Sequence, residues 1–201
     1  MDEQSFEHRS FAWAIGSFFW ELLKAFLLAM VIIVPIRYFV AQPFFVRGAS
    51  MEPNFQDGEY LVIDQLSYRF SNPKRDDVIV FRYPLDESQF FIKRIIGLPG
   101  DEVRIENGQV EIVNSMYPSG VFLNESLYLP SGLTTGGQLD VRLGSDEYFV
   151  LGDNRPASSD SRSWGLMKRS EIIGRVWVRA WPFNRLTIFH PINPSFVSAS
   201  Q

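Results

Sequence analysis

The chain has 201 residues, a net charge of −4, no cysteine and two histidines. That length holds one ordinary domain, or one domain with an anchor; the missing cysteine excludes disulfide scaffolds, thiol catalysis and zinc-thiolate sites, and no Lys/Arg stripe offers the basic face that nucleic acid demands. His8 and His190 lie near opposite ends, so a Ser-His-Asp triad or a histidine-rich metal site would have to recruit a terminal tail, and no metal or organic cofactor is expected.

Residues 1–17 are too short to fold alone and read as a tail. From Phe18 to Val40 the sequence is FFWELLKAFLLAMVIIVPIRYFV, 23 residues with three charges, Glu21, Lys24 and Arg37. Its uninterrupted apolar run, Ala25 to Ile36, has 12 residues. A membrane-spanning helix over 18–40 therefore requires those charges to sit at the two interfaces, where long side chains snorkel. Trp13, Trp20 and Tyr38 are placed as interfacial aromatics. The segment has little polar face to turn to water, which argues against a buried amphipathic helix, and no small-x-small site follows to make it a cleavable signal. Flanking cations balance, Arg9 and Lys24 against Arg37 and Arg47, so charge alone does not orient the helix.

From Gln42 to Gln201 short alternating apolar runs are punctuated by Gly, Pro, Asn and Asp, the pattern of a mainly antiparallel β domain. Strands are predicted in 59–66, 76–83, 90–97, 101–113, 147–153 and 172–181. Within 101–113, Asn107-Gly108 separates two alternating arms and predicts a hairpin, because both turn positions want positive φ. Residues 114–137 are rich in Ser, Gly, Thr and Pro and read as an insertion or loop subdomain. The tail from Asn184 is weakly patterned and is expected to fray or pack loosely.

Three stretches carry chemistry. GASMEP, 48–53, is a small-residue bend with Ser50 at its tip. In QFFIKRIIGLPGD, strand alternation puts Phe91, Lys93 and Ile95 on one face and Ile92, Arg94 and Ile96 on the other. If that strand is central, one cation is buried, and lysine is the one that can shed its charge. If it is an edge strand, Lys93 snorkels to solvent, the commoner arrangement on composition alone. LGDNRPASSDSRSWG, 151–165, packs Asp153, Asp160, Arg155, Arg162 and four serines between an apolar strand and Trp164-Gly165. By itself this reads either as an Asx-rich polar turn with solvated ion pairs or as a buried network.

In order, the anchor, GASMEP, IKRIIGLPGD and GDNRPASSDSR resemble the bacterial type I signal peptidases, membrane-bound Ser-Lys proteases that cut signal peptides from exported proteins. The resemblance runs from the anchor to about Pro182, and three motifs in the right order make it specific. It implies a single-pass protein of the plasma (inner) membrane with a cytoplasmic N-terminal tail and an extracytoplasmic catalytic domain. It further implies that Ser50 is the nucleophile, Lys93 its neutral general base, and the Ser50 backbone N–H an oxyanion donor. Ser158 matches the family serine that orients the lysine; Asp153, Asp160 and Arg162 match its supporting ion pairs. Ser50 Oγ and Lys93 Nζ are then expected within about 2.6 to 3.2 Å.

The sequence departs from the family at Gly48, where some members carry a serine as second oxyanion donor, at Arg47, where proline is common, and at Pro156-Ala157. Phe44, Val46, Met51, Phe55, Phe91 and Ile92 flank the dyad and are the candidates for shallow apolar pockets, suited to the small-x-small residues of a signal peptide. The implied partners are those peptides and the lipid bilayer. A membrane-tethered β domain that only binds a partner explains the anchor and strands equally, but does not require Ser50, Lys93 and Ser158 together. A Ser-Lys autoprotease of the repressor-cleaving type shares the chemistry but lacks its helix-turn-helix domain here.

Overall fold

The structure, a computed structural model, describes residues 3–35, 41–190 and 194–197. The chain divides into two units, residues 1–41 and 42–201.

The first unit is one helix, α1 (Glu3–Pro35). No proline and a single glycine interrupt residues 3–34, so the helix runs through the segment expected to be a tail. The stretch Gly16–Val34 has a mean hydropathy of 2.1 over 19 residues and buries none of itself against protein. At 1.5 Å per residue it is about 28 Å long, close to the roughly 30 Å of a bilayer's hydrocarbon core. Leu28 and Val31 are more than 60% exposed, an apolar surface that water covers poorly and that suits a bilayer. Lys24 Nζ donates to Glu21 Oε1 at 2.6 Å, which pairs two of the three charges in the predicted span. Its last five residues, 36–40, lie outside the described residues.

The second unit is built on strands β1 (Ala41–Phe45), β2 (Tyr60–Asp64), β3 (Val78–Tyr83), β4 (Asp86–Gly97), β5 (Glu102–Glu106), β6 (Gln109–Val113) and β7 (Val121–Leu123). After these come β8 (Leu139–Arg142), β9 (Glu147–Leu151), β10 (Met167–Lys168), β11 (Ile172–Trp181), β12 (Thr187–Ile188) and β13 (Phe196–Val197), with short helices α2 (Ser67–Phe70) and α3 (Ser161–Trp164). One sheet has the order β1-β2-β11-β3-β4-β9-β10, with β12 also paired to β11; the other is β13-β7-β6-β5-β8. The fold is mainly antiparallel β preceded by an apolar helix, as the alternation predicts.

Asn107 and Gly108 have φ of 53° and 81°, the positive values that a two-residue turn requires, and they join β5 to β6 with Glu106 opposite Gln109. Alternate residues of both arms, Val103, Ile105, Val110 and Ile112, pack with Ile96, Phe149 and Leu151 in one core cluster. A second cluster gathers Tyr68, Ile79, Phe81, Ile95 and Val150. The third holds Val46, Met51, Phe55, Leu61, Ile63, Val80 and Val176. Each such side chain contributes about 1.5 to 3 kcal/mol on burial.

All six predicted strand regions form. The alternation did not reveal β1, β7, β8, β10, β12 and β13, most of which are too short to show a period. Residues 114–137 are not merely peripheral, because β7 extends the second sheet by pairing with β6. The described tail is docked rather than loose: β12 pairs with β11, β13 with β7, and Phe189 packs against the third cluster.

Candidate active site

Ser50 is carried on the turn that follows β1. Val46 N donates to Glu59 O at 2.9 Å and Gly58 N to Val46 O at 3.0 Å, so the chain leaves the strand in a fixed direction. Val46, Met51 and Phe55 on either side of the turn are anchored in the third core cluster, which holds Ser50 up as a half-buried residue at the surface. Gly48, with φ of 84°, makes the bend that an L side chain would resist, and its N–H donates to Asp57 Oδ1 at 2.7 Å. That N–H is therefore spent within the loop and does not face a substrate.

Lys93 lies on β4, opposite Ile79 of β3. From Arg94 onward β4 also pairs with β9, so the strand is central there and both of its cations are buried, Lys93 at 4% exposure and Arg94 at 3%. The two are treated differently. Arg94 stays charged, its guanidinium bonded to both oxygens of Asp153 at 2.8 and 2.7 Å and lying 3.9 Å from the Tyr128 ring centroid. Lys93 has no carboxylate within contact; its Nζ meets Ser50 Oγ at 2.7 Å and Ile92 O at 2.9 Å. Burial brings the Lys93 ammonium down to about 8, opposed in part by the more distant Asp160 and Asp153 carboxylates. Near neutral pH a useful fraction of Lys93 is thus an uncharged amine at hydrogen-bond distance from a hydroxyl.

The third motif closes the site from the end of β9. Asp153 is fully buried against Arg94, and Asn54 Nδ2 donates to Asp153 Oδ2 at 2.8 Å, tying the Ser50 loop to the same carboxylate. Asp160 caps α3, accepts from Gly152 N at 3.1 Å and pairs with Arg162 at 2.8 Å. The ion pairs expected among Asp153, Asp160 and Arg162 thus divide into two, Arg94–Asp153 and Arg162–Asp160. Ser158 Oγ is buried and has no hydrogen-bond partner among the described residues, so the bond to Lys93 that the resemblance implies is not made here. Ser158 stands beside Gly152, where a Cβ would overlap both Ser158 Oγ and Ser50 O.

Arg155, fully buried, holds the 114–137 segment to this floor. Its Nη1 donates to Glu125 Oε2 at 3.0 Å, its Nε to Gly152 O at 3.1 Å, and Thr135 accepts from it as well. Asn54 Nδ2 also donates to the carbonyl of Tyr128 at 2.7 Å. The insertion is thereby tied to both the Ser50 loop and the third motif. Nothing in its composition signalled this, since the partners are single residues far apart in sequence.

Ser50 and Lys93 open onto a cleft of about 650 Å³ whose walls include Phe44, Val46, Phe91 and Ile92, four of the six residues expected to bind substrate. Met51 and Phe55 are not among its walls; each is 1% exposed and packed in the core, because the turn needs them as anchors. Leu61 and Val80, which proximity in sequence could not pick out, join the apolar lining, as do Phe45 and Phe90. Arg47, Gly48 and Ser159 add polar edges, and among the described residues no carboxylate lines the cleft. Among the described residues, too, no cluster of His, Asp or Glu is arranged to hold a metal ion.

A serine hydroxyl against a buried amine, at the head of an apolar cleft on a β scaffold, marks the class of serine peptidases that work without histidine. The chain belongs to the signal peptidase family, peptidase S26, whose pattern matches residues 19–181. It is 40% identical over 173 residues to the probable signal peptidase I-2 of Synechocystis sp., covering 83% of this chain and 75% of that one. It is 31% identical over 185 residues to signal peptidase IB of Staphylococcus aureus, covering 87% of this chain and 94% of that one. The crystal structure of a signal peptidase I from Enterococcus faecalis V583 is 29% identical and aligns with a TM-score of 0.43, over 52% of this chain and 97% of that one.

Proposed function

We propose that this chain is a membrane-anchored signal peptidase, a serine endopeptidase that removes N-terminal signal peptides from exported preproteins, with Ser50 as nucleophile and Lys93 as general base. The observation that carries the roles is the 2.7 Å approach of Ser50 Oγ to an amine that burial has brought to about 8. Neutral Lys93 takes the hydroxyl proton as Oγ attacks the scissile carbonyl, and the ammonium so formed then protonates the leaving amine. Water activated by the same amine releases the acyl chain from Ser50 in the second half of the cycle.

Substrate geometry follows from the sheet. Residues 86–92 of β4 pair with β3 on one side, while β9 joins β4 only from Arg94 onward. An extended peptide can add along the free edge and point alternate side chains into the cleft. Phe44, Val46, Leu61, Val80 and Ile92 leave shallow room there, which suits small residues before the cleavage point. Work at a bilayer surface is supported by Trp177, Trp181 and Phe183, all at least 42% exposed, since large aromatics of this kind favour lipid interfaces. With this function the catalytic domain lies on the extracytoplasmic side of the plasma (inner) membrane, where signal peptides of exported chains emerge.

The test uses the full chain in detergent or liposomes with a preprotein bearing a small-x-small cleavage site. Ser50→Ala and Lys93→Ala are each expected to abolish cleavage, and normal turnover by either variant would sink the dyad.

A further inference from the structure

The oxyanion site needs a donor held still, and the candidate N–H at the turn is that of Ser50. Gly48 N–H is already bound to Asp57, whereas among the described residues no acceptor meets the N–H of Ser50. That N–H belongs to the peptide unit joining Ala49 to Ser50. The unit is planar and trans, so its C=O and N–H point in opposite directions and whatever fixes one fixes the other.

Asn154 fixes it. Its Nδ2 donates to Ala49 O at 3.0 Å, and its backbone N donates to Ser50 O at 3.1 Å, so one residue grips the peptide units on both sides of the nucleophile. Glu52 N donates to the same Ala49 oxygen at 3.1 Å from within the turn. Asn154 is itself set in place, because it follows Asp153, which is locked to Arg94, and because Ala157 N donates to its carbonyl at 3.0 Å. The grip thus runs from the buried Arg94–Asp153 pair to the peptide plane that must receive the negative charge.

We infer that Asn154 is the positioning residue of the oxyanion site: its carboxamide, by holding the Ala49 carbonyl, turns the Ser50 N–H toward the oxygen of the tetrahedral intermediate. The inference rests on the Ser50–Lys93 reading above. It assigns Asn154 a part in transition-state stabilisation and none in ground-state binding or in the basicity of Lys93.

Asn154→Ala and Asn154→Asp separate these roles in the full chain in detergent, assayed on a signal-peptide substrate. The aspartate keeps the shape but sets an acceptor against a carbonyl oxygen, and the backbone bond to Ser50 O survives in both. Deleting an oxyanion donor outright costs about 10² to 10³ in kcat, so misdirecting one is expected to cost about tenfold, with the aspartate at least as damaging as the alanine. KM is expected to stay within about twofold, and the pH profile of kcat/KM to keep its wild-type midpoint. Affinity for a peptide boronic acid, which forms a tetrahedral adduct, should fall by the same factor as kcat/KM, while affinity for the cleaved signal peptide stays as in the wild type. Wild-type kcat in Asn154→Asp overturns the inference. So does a loss of kcat accompanied by an equal loss of product-peptide affinity and a displaced pH profile, since the whole turn has then moved. If Ser50→Ala, run in parallel, cleaves as the wild type does, the Ser50–Lys93 reading fails first and takes this inference with it.

Discussion

Lys93 is the residue on which the proposed chemistry depends, and its burial has a cost that can be measured. Its folded value of about 8 lies below the ordinary 10.5, so the folded state resists the ammonium. Well below pH 8 both folded and unfolded chains carry the proton and the full penalty, about 3 kcal/mol, is present. Between pH 8 and 10.5 the unfolded chain still holds the proton that the folded chain has released, so stability rises with pH and the penalty fades. Lys93→Met is therefore expected to be inactive yet more stable than the wild type at about pH 7, with the gap closing as the pH approaches the ordinary lysine value. Thermal melts at the two pH values check this; equal gaps would mean that the lysine is not buried as charge. At Gly152 the constraint is space, because a Cβ would overlap Ser158 Oγ and the backbone oxygen of Ser50. Gly152→Ala is expected to lower kcat strongly by displacing the Ser50 turn, whereas Ser158→Ala is expected to leave the fold intact, and to slow the reaction only if the hydroxyl, without a partner among the described residues, meets Lys93 during turnover. Unfolding of Ser158→Ala in a melt would make that serine structural.

At the scale of elements, the sequence showed the strands best where alternation was long enough to count. β3, β5, β6, β9 and β11 follow from period-two patterns, and the β5–β6 turn follows from Asn107-Gly108. The same logic left Lys93 undecided, since alternation shows that a cation shares a strand with isoleucines but not whether the strand is central. Pairing with β9 decides that, and pairing is a long-range fact. Met51 misled for a related reason: adjacency to Ser50 suggested a pocket wall, but a residue next in sequence to a surface nucleophile is well placed to anchor it from below. Residues 114–137 were opaque because their role rests on isolated pairs such as Glu125–Arg155. Removing Glu125 leaves the buried Arg155 charge without its carboxylate, so Glu125→Ala is expected to cost about 3 kcal/mol, lowering Tm by about 6 to 12 °C. The double variant Glu125→Leu/Arg155→Met should recover most of that loss. A Glu125→Ala melt that matches the wild type would show that the segment is not braced through this pair.

The whole molecule combines a helix long and apolar enough to cross a membrane with a β domain whose cleft has a serine and a buried lysine at its head. On the membrane side, the full chain is expected to stay with liposomes through an alkaline carbonate wash, and release into the supernatant would show that α1 does not span. Motif order in the sequence was enough to point to the family, because a peptidase of this kind needs its nucleophile, base and supporting loop on three separate elements. The sequence could not show the arrangement that makes them one site, namely β4 between β3 and β9, the Arg94–Asp153 pair, and Asn154 across the nucleophile turn. The central claim is that neutral Lys93 activates Ser50, and the pH dependence of kcat/KM for the liposome-reconstituted chain tests it most directly. Activity is expected to rise about tenfold per pH unit below an ionisation near about 8 and to level above it. A rate flat from about pH 5 to about pH 9 would contradict it.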